Sequence, residues 1–373
     1  MVKYTNINNL YNIPISIEQR QNNSKRDFLF VNEWQCKYLP ASPIKTQHMC
    51  QELANRVNIH LTDYDTVLVI GFCETATAIT ELVAQQLKGI KFIVCTTRHE
   101  IDAPLFVSFE EEHSAYTHHN FYVRDCGGFI SYLRGVTTIL FIDDEITTGK
   151  TIFNLYTELK QYLISGTHCY VASVCNWMTP ELIDTFAQQN IFFEWLVHGQ
   201  LRETDSHITK VIRDTLTTKG SVTYTLYRCS KNLLKWQILG HTSQIDIVKE
   251  IACLDDLLRY QSLRIIGTEE CMWPAIQLGC YLESLGKKVL CHSTARTAIN
   301  VTGKAIQCVE TLRTPYDDSN HETYIYNINE ETDVAVLLSD ASFTSDHFST
   351  FYQTLAHILY NYCSHLFIIC LGD

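Results

Sequence analysis

The chain alternates between short apolar runs and stretches whose apolar residues recur at helical spacing. Thr66-Val-Leu-Val-Ile-Gly71 is apolar on consecutive positions and stops at a glycine, which predicts a strand buried on both faces. Residues 75–87 then read as a helix, 92–96 and 138–142 as strands, 151–163 as a helix and 169–175 as a further strand. Strands separated by helices of roughly 10–15 residues predict an α/β fold with a mainly parallel sheet and helices on both faces.

A second α/β block begins near residue 247. Leu263-Arg-Ile-Ile-Gly267 reads as a strand, 273–285 as a helix closed by Gly286, and 288–291, 324–328 and 333–338 as strands. A helix over 348–359 follows. We expect a first domain at 1–235 and a smaller α/β domain at 245–373. The stretch 199–245 is more polar and reads as a connection with a small hairpin at Lys219-Gly220. Residues 1–26, rich in Asn and Gln, read as an irregular arm or the start of a hood.

The two blocks share a plan. Gly71-Phe-Cys-Glu74 heads a helix and Thr97-Arg98 follows the next strand; Gly267-Thr-Glu-Glu270 heads a helix and Arg296 follows the next strand. The Gly-to-Arg separations are 27 and 29 residues. Either the second block is a diverged relative of the first, or the likeness is what any two strand–helix–strand units share.

Composition narrows the partners. At 46% hydrophobic and 19% charged, the 373 residues describe folded domains rather than a disordered chain. A net charge of −12 argues against nucleic acid or an anionic membrane as partner, so an anionic ligand needs local arginines, lysines and helix N-termini. The fifteen cysteines are scattered without a Cys-x-x-Cys and sit in apolar runs, as reduced thiols of a cytoplasmic protein do. Neither a signal peptide nor a membrane span is legible, which also points to the cytoplasm.

The most informative stretch is Thr138-Ile-Leu-Phe-Ile-Asp-Asp-Glu-Ile-Thr-Thr-Gly-Lys-Thr151. An apolar run delivers Asp143 and Asp144 to the carboxyl edge of the sheet, where paired acids can accept hydrogen bonds from two vicinal ribose hydroxyls. Thr147, Thr148, Gly149, Lys150 and Thr151 then offer hydroxyls, a permissive backbone, a positive charge and the N–H groups of a helix start, a cradle for phosphate. A nucleotide-binding P-loop is excluded, because it needs glycine five residues before Gly149 and that position is Asp144.

A second anion cradle is legible at Gly71-Phe-Cys-Glu-Thr-Ala-Thr77, where Gly71, Thr75 and Thr77 again open a helix. Glu74 is unusual there and calls for a metal, a water shell or Arg98 beside it; the plainer reading is a first-turn acid favoured by the helix dipole. Thr97 and Arg98 close the next strand, where an arginine can clamp phosphate. Phe109-Glu-Glu-Glu-His-Ser-Ala-Tyr-Thr-His-His119 matches no standard metal ligand set and reads as a loop that closes over the site.

The Asp143–Thr151 stretch resembles the 5-phosphoribosyl-1-diphosphate (PRPP) signature of type I phosphoribosyltransferases. With Phe28-Leu-Phe-Val-Asn, Gly71-Phe-Cys-Glu-Thr-Ala-Thr-Ala78, Thr96-Thr-Arg-His-Glu100, Phe109-Glu-Glu-Glu-His-Ser114, Gly267-Thr-Glu-Glu-Cys-Met-Trp-Pro274 and Tyr324-Ile-Tyr-Asn327, nearly the whole chain resembles one bacterial family. It is the phosphoribosyltransferase with a C-terminal TRSP domain, found in tellurite-resistance-associated biosynthetic operons. The resemblance implies the type I phosphoribosyltransferase fold and a Mg²⁺-dependent transfer of ribose 5-phosphate from PRPP to a base-like acceptor, with release of pyrophosphate.

It also implies roles. Asp143 and Asp144 would hold the ribose diol and approach substrate-bound Mg²⁺, Thr147–Thr151 the 5-phosphate, and Gly71, Glu74, Thr75, Thr77, Thr97 and Arg98 the pyrophosphate. Purine-salvage members commonly carry Asp where this chain has Thr147, so the signature resembles the orotate type, which favours either an acceptor whose nitrogen or oxygen is already acidic or a base drawn from elsewhere, such as His113 or Glu112. In the second domain Gly267, Thr268, Glu269, Glu270 and Arg296 would meet acceptor or product. The naming tetrapeptide of that domain stands here as Ala295-Arg-Thr-Ala298. A homodimer and partner enzymes of a nucleoside-like pathway are the expected associations. A non-catalytic PRPP or nucleotide sensor, or a stress-response assembly component, are the alternatives.

Overall fold

The computed structural model describes residues 2–21, 26–110, 118–203, 220–229, 236–242, 245–316 and 321–372. The first part runs β1 (Val2–Asn9), β2 (Ile15–Gln19), β3 (Phe28–Asn32), α1 (Pro43–Val57), β4 (Thr66–Gly71), α2 (Thr77–Ala84), β5 (Ile90–Cys95), β6 (Leu105–Glu110) and β7 (His118–Tyr122). It continues with α3 (Cys126–Leu133), β8 (Thr138–Ile146), α4 (Lys150–Lys160), β9 (His168–Asn176), α5 (Pro180–Ala187) and β10 (Ile191–Glu203). The second part runs β11 (Thr223–Arg228), three short helices α6 (Trp236–Leu239), α7 (Ile247–Glu250) and α8 (Leu254–Leu257), then β12 (Ser262–Gly267), α9 (Trp273–Ser284) and β13 (Lys288–Ser293). It ends with β14 (Val309–Arg313), β15 (Glu322–Tyr326), β16 (Val334–Ser339), α10 (Asp346–Ile358) and β17 (His365–Cys370).

The expected α/β architecture is present as two sheets. The first has the order β1-β10-β9-β8-β4-β5, parallel throughout except for β1, and the second has the order β11-β17-β16-β12-β13, parallel throughout. Strand β4 explains why its sequence is apolar at every position. Val67 and Val69 face a core shared with α1 and α2, while Leu68 and Ile70 face a core shared with α3 and α4. The first of these cores continues without a break into α9 and β12, through Trp273, Ile276, Leu278 and Ile265. The two sheets are therefore fused through one apolar interior.

Two local expectations are corrected. The N-terminal arm is not irregular, since β1 pairs antiparallel with β10 as an edge strand. Edge pairing uses backbone groups and needs no apolar side chains, so a polar stretch can do it. Thr223–Arg228, placed in the connecting stretch, joins the second sheet beside β17. The strand expected over 324–328 is present as β15, which pairs with β14 in a separate ribbon.

Candidate active site

Strand β8 does not stop at its apolar run; it stays hydrogen-bonded to β9 through Ile146, which holds the backbone of both acids rigid. Asp143 and Asp144 emerge side by side into a cleft, and the Asp144 amide donates to Asp143 Oδ1 at 2.9 Å. Asp144 is also oriented from outside its strand. Its Oδ1 accepts the Thr75 hydroxyl at 2.8 Å and its Oδ2 accepts Gln35 Nε2 at 3.1 Å, while the same amide nitrogen donates to the Thr75 carbonyl at 2.9 Å. Strand β8 and the Glu74–Thr75 loop are thereby tied together.

Gly149, at φ +71°, caps α4 in the left-handed region, and no side chain caps the helix there. Among the described residues, the Thr147 and Thr151 hydroxyls have no hydrogen-bond partner, so the loop presents hydroxyls and N–H groups to the cleft. Lys150 is exposed and is not among the cleft-lining residues.

On the opposite side Glu74, Thr75, Arg98 and Arg296 line the cleft. Among the described residues Glu74 forms an ion pair with Lys37 rather than with Arg98. Lys37 reaches Glu74 from the segment after β3, donating also to the Glu269 carbonyl at 2.8 Å and the Thr294 carbonyl at 2.9 Å. The other oxygen of Glu74 accepts the Arg296 amide at 3.3 Å. The Cys73–Glu74 peptide is cis.

Arg296 is held by Glu269, whose Oε2 accepts Arg296 Nε at 2.6 Å and whose Oε1 accepts from the Thr314 hydroxyl at 2.9 Å and lies 3.0 Å from His321 Nε2. Burial alone would push the Glu269 carboxyl up, but Arg296 and His321 outweigh it and hold it far below the carboxylate range. The Arg296 guanidinium shows the converse: burial opposes its charge, and Glu269, Glu270 and Glu74 outweigh burial.

Several expected site residues make contacts within the protein. Gly71 lets β4 and α2 approach, since a Cβ there would lie 2.1 Å from Thr80 Oγ1. The Thr77 hydroxyl donates to the Glu270 carbonyl at 2.9 Å, and the Thr97 hydroxyl to Glu270 Oε2 at 2.7 Å. Arg296 lines the same cleft as Asp143 and Asp144; Glu269 and Glu270 hydrogen-bond across to the first half, while Thr268 bonds Tyr316 and Ser339. His113 and Glu112 lie outside the described residues.

Sequence reasoning missed other cleft residues. Arg20, Arg26, Tyr38, His119 and Glu145 all line it. Glu145 pairs with Arg26, and burial raises its carboxyl despite that pairing. His119 stacks on Phe109 at 5.2 Å with its Nδ1 3.3 Å from Cys73 Sγ and 3.1 Å from Thr96 Oγ1. The acid following Asp144 and the basic pair flanking a polar turn were the signals available for Glu145, Arg20 and Arg26.

Residues 15–196 match the phosphoribosyl transferase family, and residues 241–355 match the TRSP domain found C-terminal to it. No curated protein matches the chain significantly. Among solved structures, one similar fold is the adenine phosphoribosyl transferase of Trypanosoma brucei in complex with AMP, pyrophosphate and ribose-5-phosphate. That match has 18% identity and a TM-score of 0.31, covers 42% of this chain, and spans 65% of the other, less than two thirds of its length. Another is the Giardia lamblia enzyme complexed with 9-deazaadenine, at 12% identity and a TM-score of 0.29, covering 39% of this chain and 78% of that one. The chain thus carries a phosphoribosyl transferase domain followed by a TRSP domain, the two matches together taking up most of its length.

Proposed function

We propose that the protein transfers ribose 5-phosphate from PRPP to a base-like acceptor and releases pyrophosphate. The observation that carries this reading is the meeting, in one cleft, of the Asp143–Asp144 pair, the Thr147–Thr151 loop and the Glu74–Thr75 loop with Arg98. Thr147, Thr148, Thr151 and the α4 N-terminus bind the 5-phosphate. Asp143 and Asp144 accept the two ribose hydroxyls and stabilise the positive charge that develops on the sugar as the C1–oxygen bond to pyrophosphate breaks. Arg98 takes the departing pyrophosphate.

The donor set also fits magnesium. Among the described residues no group of three His, Cys, Asp or Glu surrounds a metal, so the fit is to an ion arriving on the diphosphate. Such an ion keeps phosphate and water oxygens and needs only one or two carboxylates, which Asp143 and Asp144 supply. It adds positive charge to the leaving group.

The acceptor enters beside Leu29 and Phe30 of β3 and the Arg26–Glu145 pair, and Glu145 is the described carboxyl best placed to exchange a proton with it. The acceptor belongs to a nucleoside-like biosynthesis in the cytoplasm, with partner enzymes handling what comes before and after.

Titration calorimetry tests the reading. Mg²⁺ and PRPP should bind the wild type saturably, and Asp143→Asn/Asp144→Asn should lose that binding. A wild type that fails to bind PRPP at millimolar concentration, roughly −4 kcal/mol or weaker, removes the transferase reading.

A further inference from the structure

Apart from α3, the two halves repeat one order of elements, strand, helix, strand, antiparallel ribbon, strand, helix and strand, and their strands pair in the same register. Gly71 lies opposite Ile142 and Cys95; Gly267 lies opposite Leu338 and Ser293. The amide after each glycine donates back across the sheet at 3.2 Å, Phe72 to Ile142 and Thr268 to Leu338. Thr96 Oγ1 accepts the Cys73 amide at 3.0 Å, as Thr294 Oγ1 accepts the Glu269 amide at 3.0 Å. Each half hangs an antiparallel ribbon on the strand end, through Thr97–Asn120 in the first and Ala295–Tyr324 in the second. Agreement at this many independent points exceeds what two generic strand–helix–strand units share.

The register pairs Asp144 with Asp340 and Gly149 with Ser345, since both lie at equal distances beyond Ile142 and Leu338. In the second half that position is closed. The Tyr316 hydroxyl sits on Asp340 Oδ1 at 2.6 Å and 3.0 Å from Thr268 Oγ1. Ser345 caps its own helix, accepting the His347 amide at 3.1 Å and the Phe348 amide at 3.2 Å, where Gly149 leaves those groups open.

The halves also meet as two copies would. Glu74 takes the Arg296 amide and Glu270 takes the Arg98 amide, equivalent acids on equivalent arginines. We propose that the second half is a duplicated transferase unit that has lost its own sugar site and acts as a built-in partner, presenting Arg296 to the pyrophosphate end of the first half's cleft. Glu269 is the positioning residue. This rests on the transferase reading above. Glu269 stands where the first half has Cys73, and a carboxylate there fixes Arg296 Nε, while Arg296 Nη2 lies 3.0 Å from His99 Nε2 and the residue lines the cleft beside Glu74 and Arg98.

The test titrates Mg²⁺–PRPP, Mg²⁺–pyrophosphate and ribose 5-phosphate into the full-length protein. The wild type should bind one PRPP per chain. Arg296→Gln should weaken PRPP and pyrophosphate by roughly tenfold or more, the value of one charge-assisted contact, and leave ribose 5-phosphate unchanged. Glu269→Gln should weaken the same two ligands by a smaller factor. Unchanged ribose 5-phosphate binding is also the folding control, and where Arg296→Gln fails to fold, Arg296→Lys keeps the buried charge and carries the same comparison. Two PRPP per chain, wild-type pyrophosphate affinity in the arginine variants, or equal loss of all three ligands would overturn the proposal. A wild type that binds none of them overturns the transferase reading first and this one with it.

Discussion

Glu270 of one half holds Arg98 of the other. Its Oε1 accepts the Arg98 amide at 3.0 Å and its Oε2 accepts the Thr97 hydroxyl at 2.7 Å, so one buried carboxylate sets the backbone of a cleft arginine 172 residues away. The mirror contact runs from Glu74 to the Arg296 amide. Loop geometry in each half is thus fixed by the acid of the other.

Glu270→Ala should therefore cost more than its own burial. Two buried donors, the Thr97 hydroxyl and the Arg98 amide, lose their acceptor, which costs about 2–4 kcal/mol in total. Denaturant unfolding should show that loss, and PRPP titration should show weaker binding even though Glu270 is outside the cleft. An unchanged unfolding midpoint would contradict the cross-half support.

Gly149→Ala addresses the phosphate loop. The backbone stands at φ +71°, a region that costs a residue with a Cβ about 1–2 kcal/mol. The new Cβ would meet the Phe186 ring edge at 2.9 Å. Ribose 5-phosphate affinity should fall more than in Lys150→Ala, whose side chain is exposed. Equal losses in the two variants would place the phosphate on the lysine rather than on the loop backbone.

Sequence made the strands legible wherever both faces are buried, because such strands are apolar at every position, as Thr66–Gly71 and Val334–Ser339 are. It also showed the Asp143–Asp144 pair and the Thr147–Thr151 loop that line the cleft, because they lie within nine consecutive residues. Contacts between distant segments were hidden. Lys37 meets Glu74 and the Glu269 carbonyl across 232 residues, and nothing local to Trp34-Gln-Cys-Lys announces a buried lysine with three acceptors. Arg296 was assigned to a second ligand site for the same reason: its place after a strand was readable, but the way the halves dock was not. Strand β1 was missed because an edge strand is held by backbone pairing, which leaves no mark on side-chain polarity.

Gly279→Val should destabilise both halves together. Gly279 lies on α9 where α1 crosses closely, with Pro43 Cγ only 2.8 Å from an added Cβ and Ile265 Cδ1 at 3.5 Å. A branched side chain there over-packs the core that runs through both sheets, at a cost of about 1–3 kcal/mol. Tryptophan fluorescence, which samples Trp273 in this core, and far-ultraviolet dichroism should report one coincident, lowered transition. Separate transitions would show that the halves do not share their stability.

The last prediction concerns acid. Glu269 is buried, and burial would raise its carboxyl; Arg296 and His321 outweigh this and hold it far below the ordinary value of 4.5. A carboxyl whose folded pKa is depressed contributes stability that is fully present above the unfolded value and is lost as pH falls toward the folded one. That contribution should therefore begin to disappear near pH 4.5 and continue falling below it. Glu145 and Asp340 act in the opposite sense, because burial raises both, so their contribution favours the fold at low pH and declines as pH rises. Unfolding midpoints followed from about pH 7 to about pH 3 should decline for the wild type. Glu269→Gln should start lower at neutral pH, with Arg296 deprived of its nearest counter-charge, and then decline less steeply. Parallel curves for the two proteins would show that the acid sensitivity comes from carboxylates other than the one that aims Arg296.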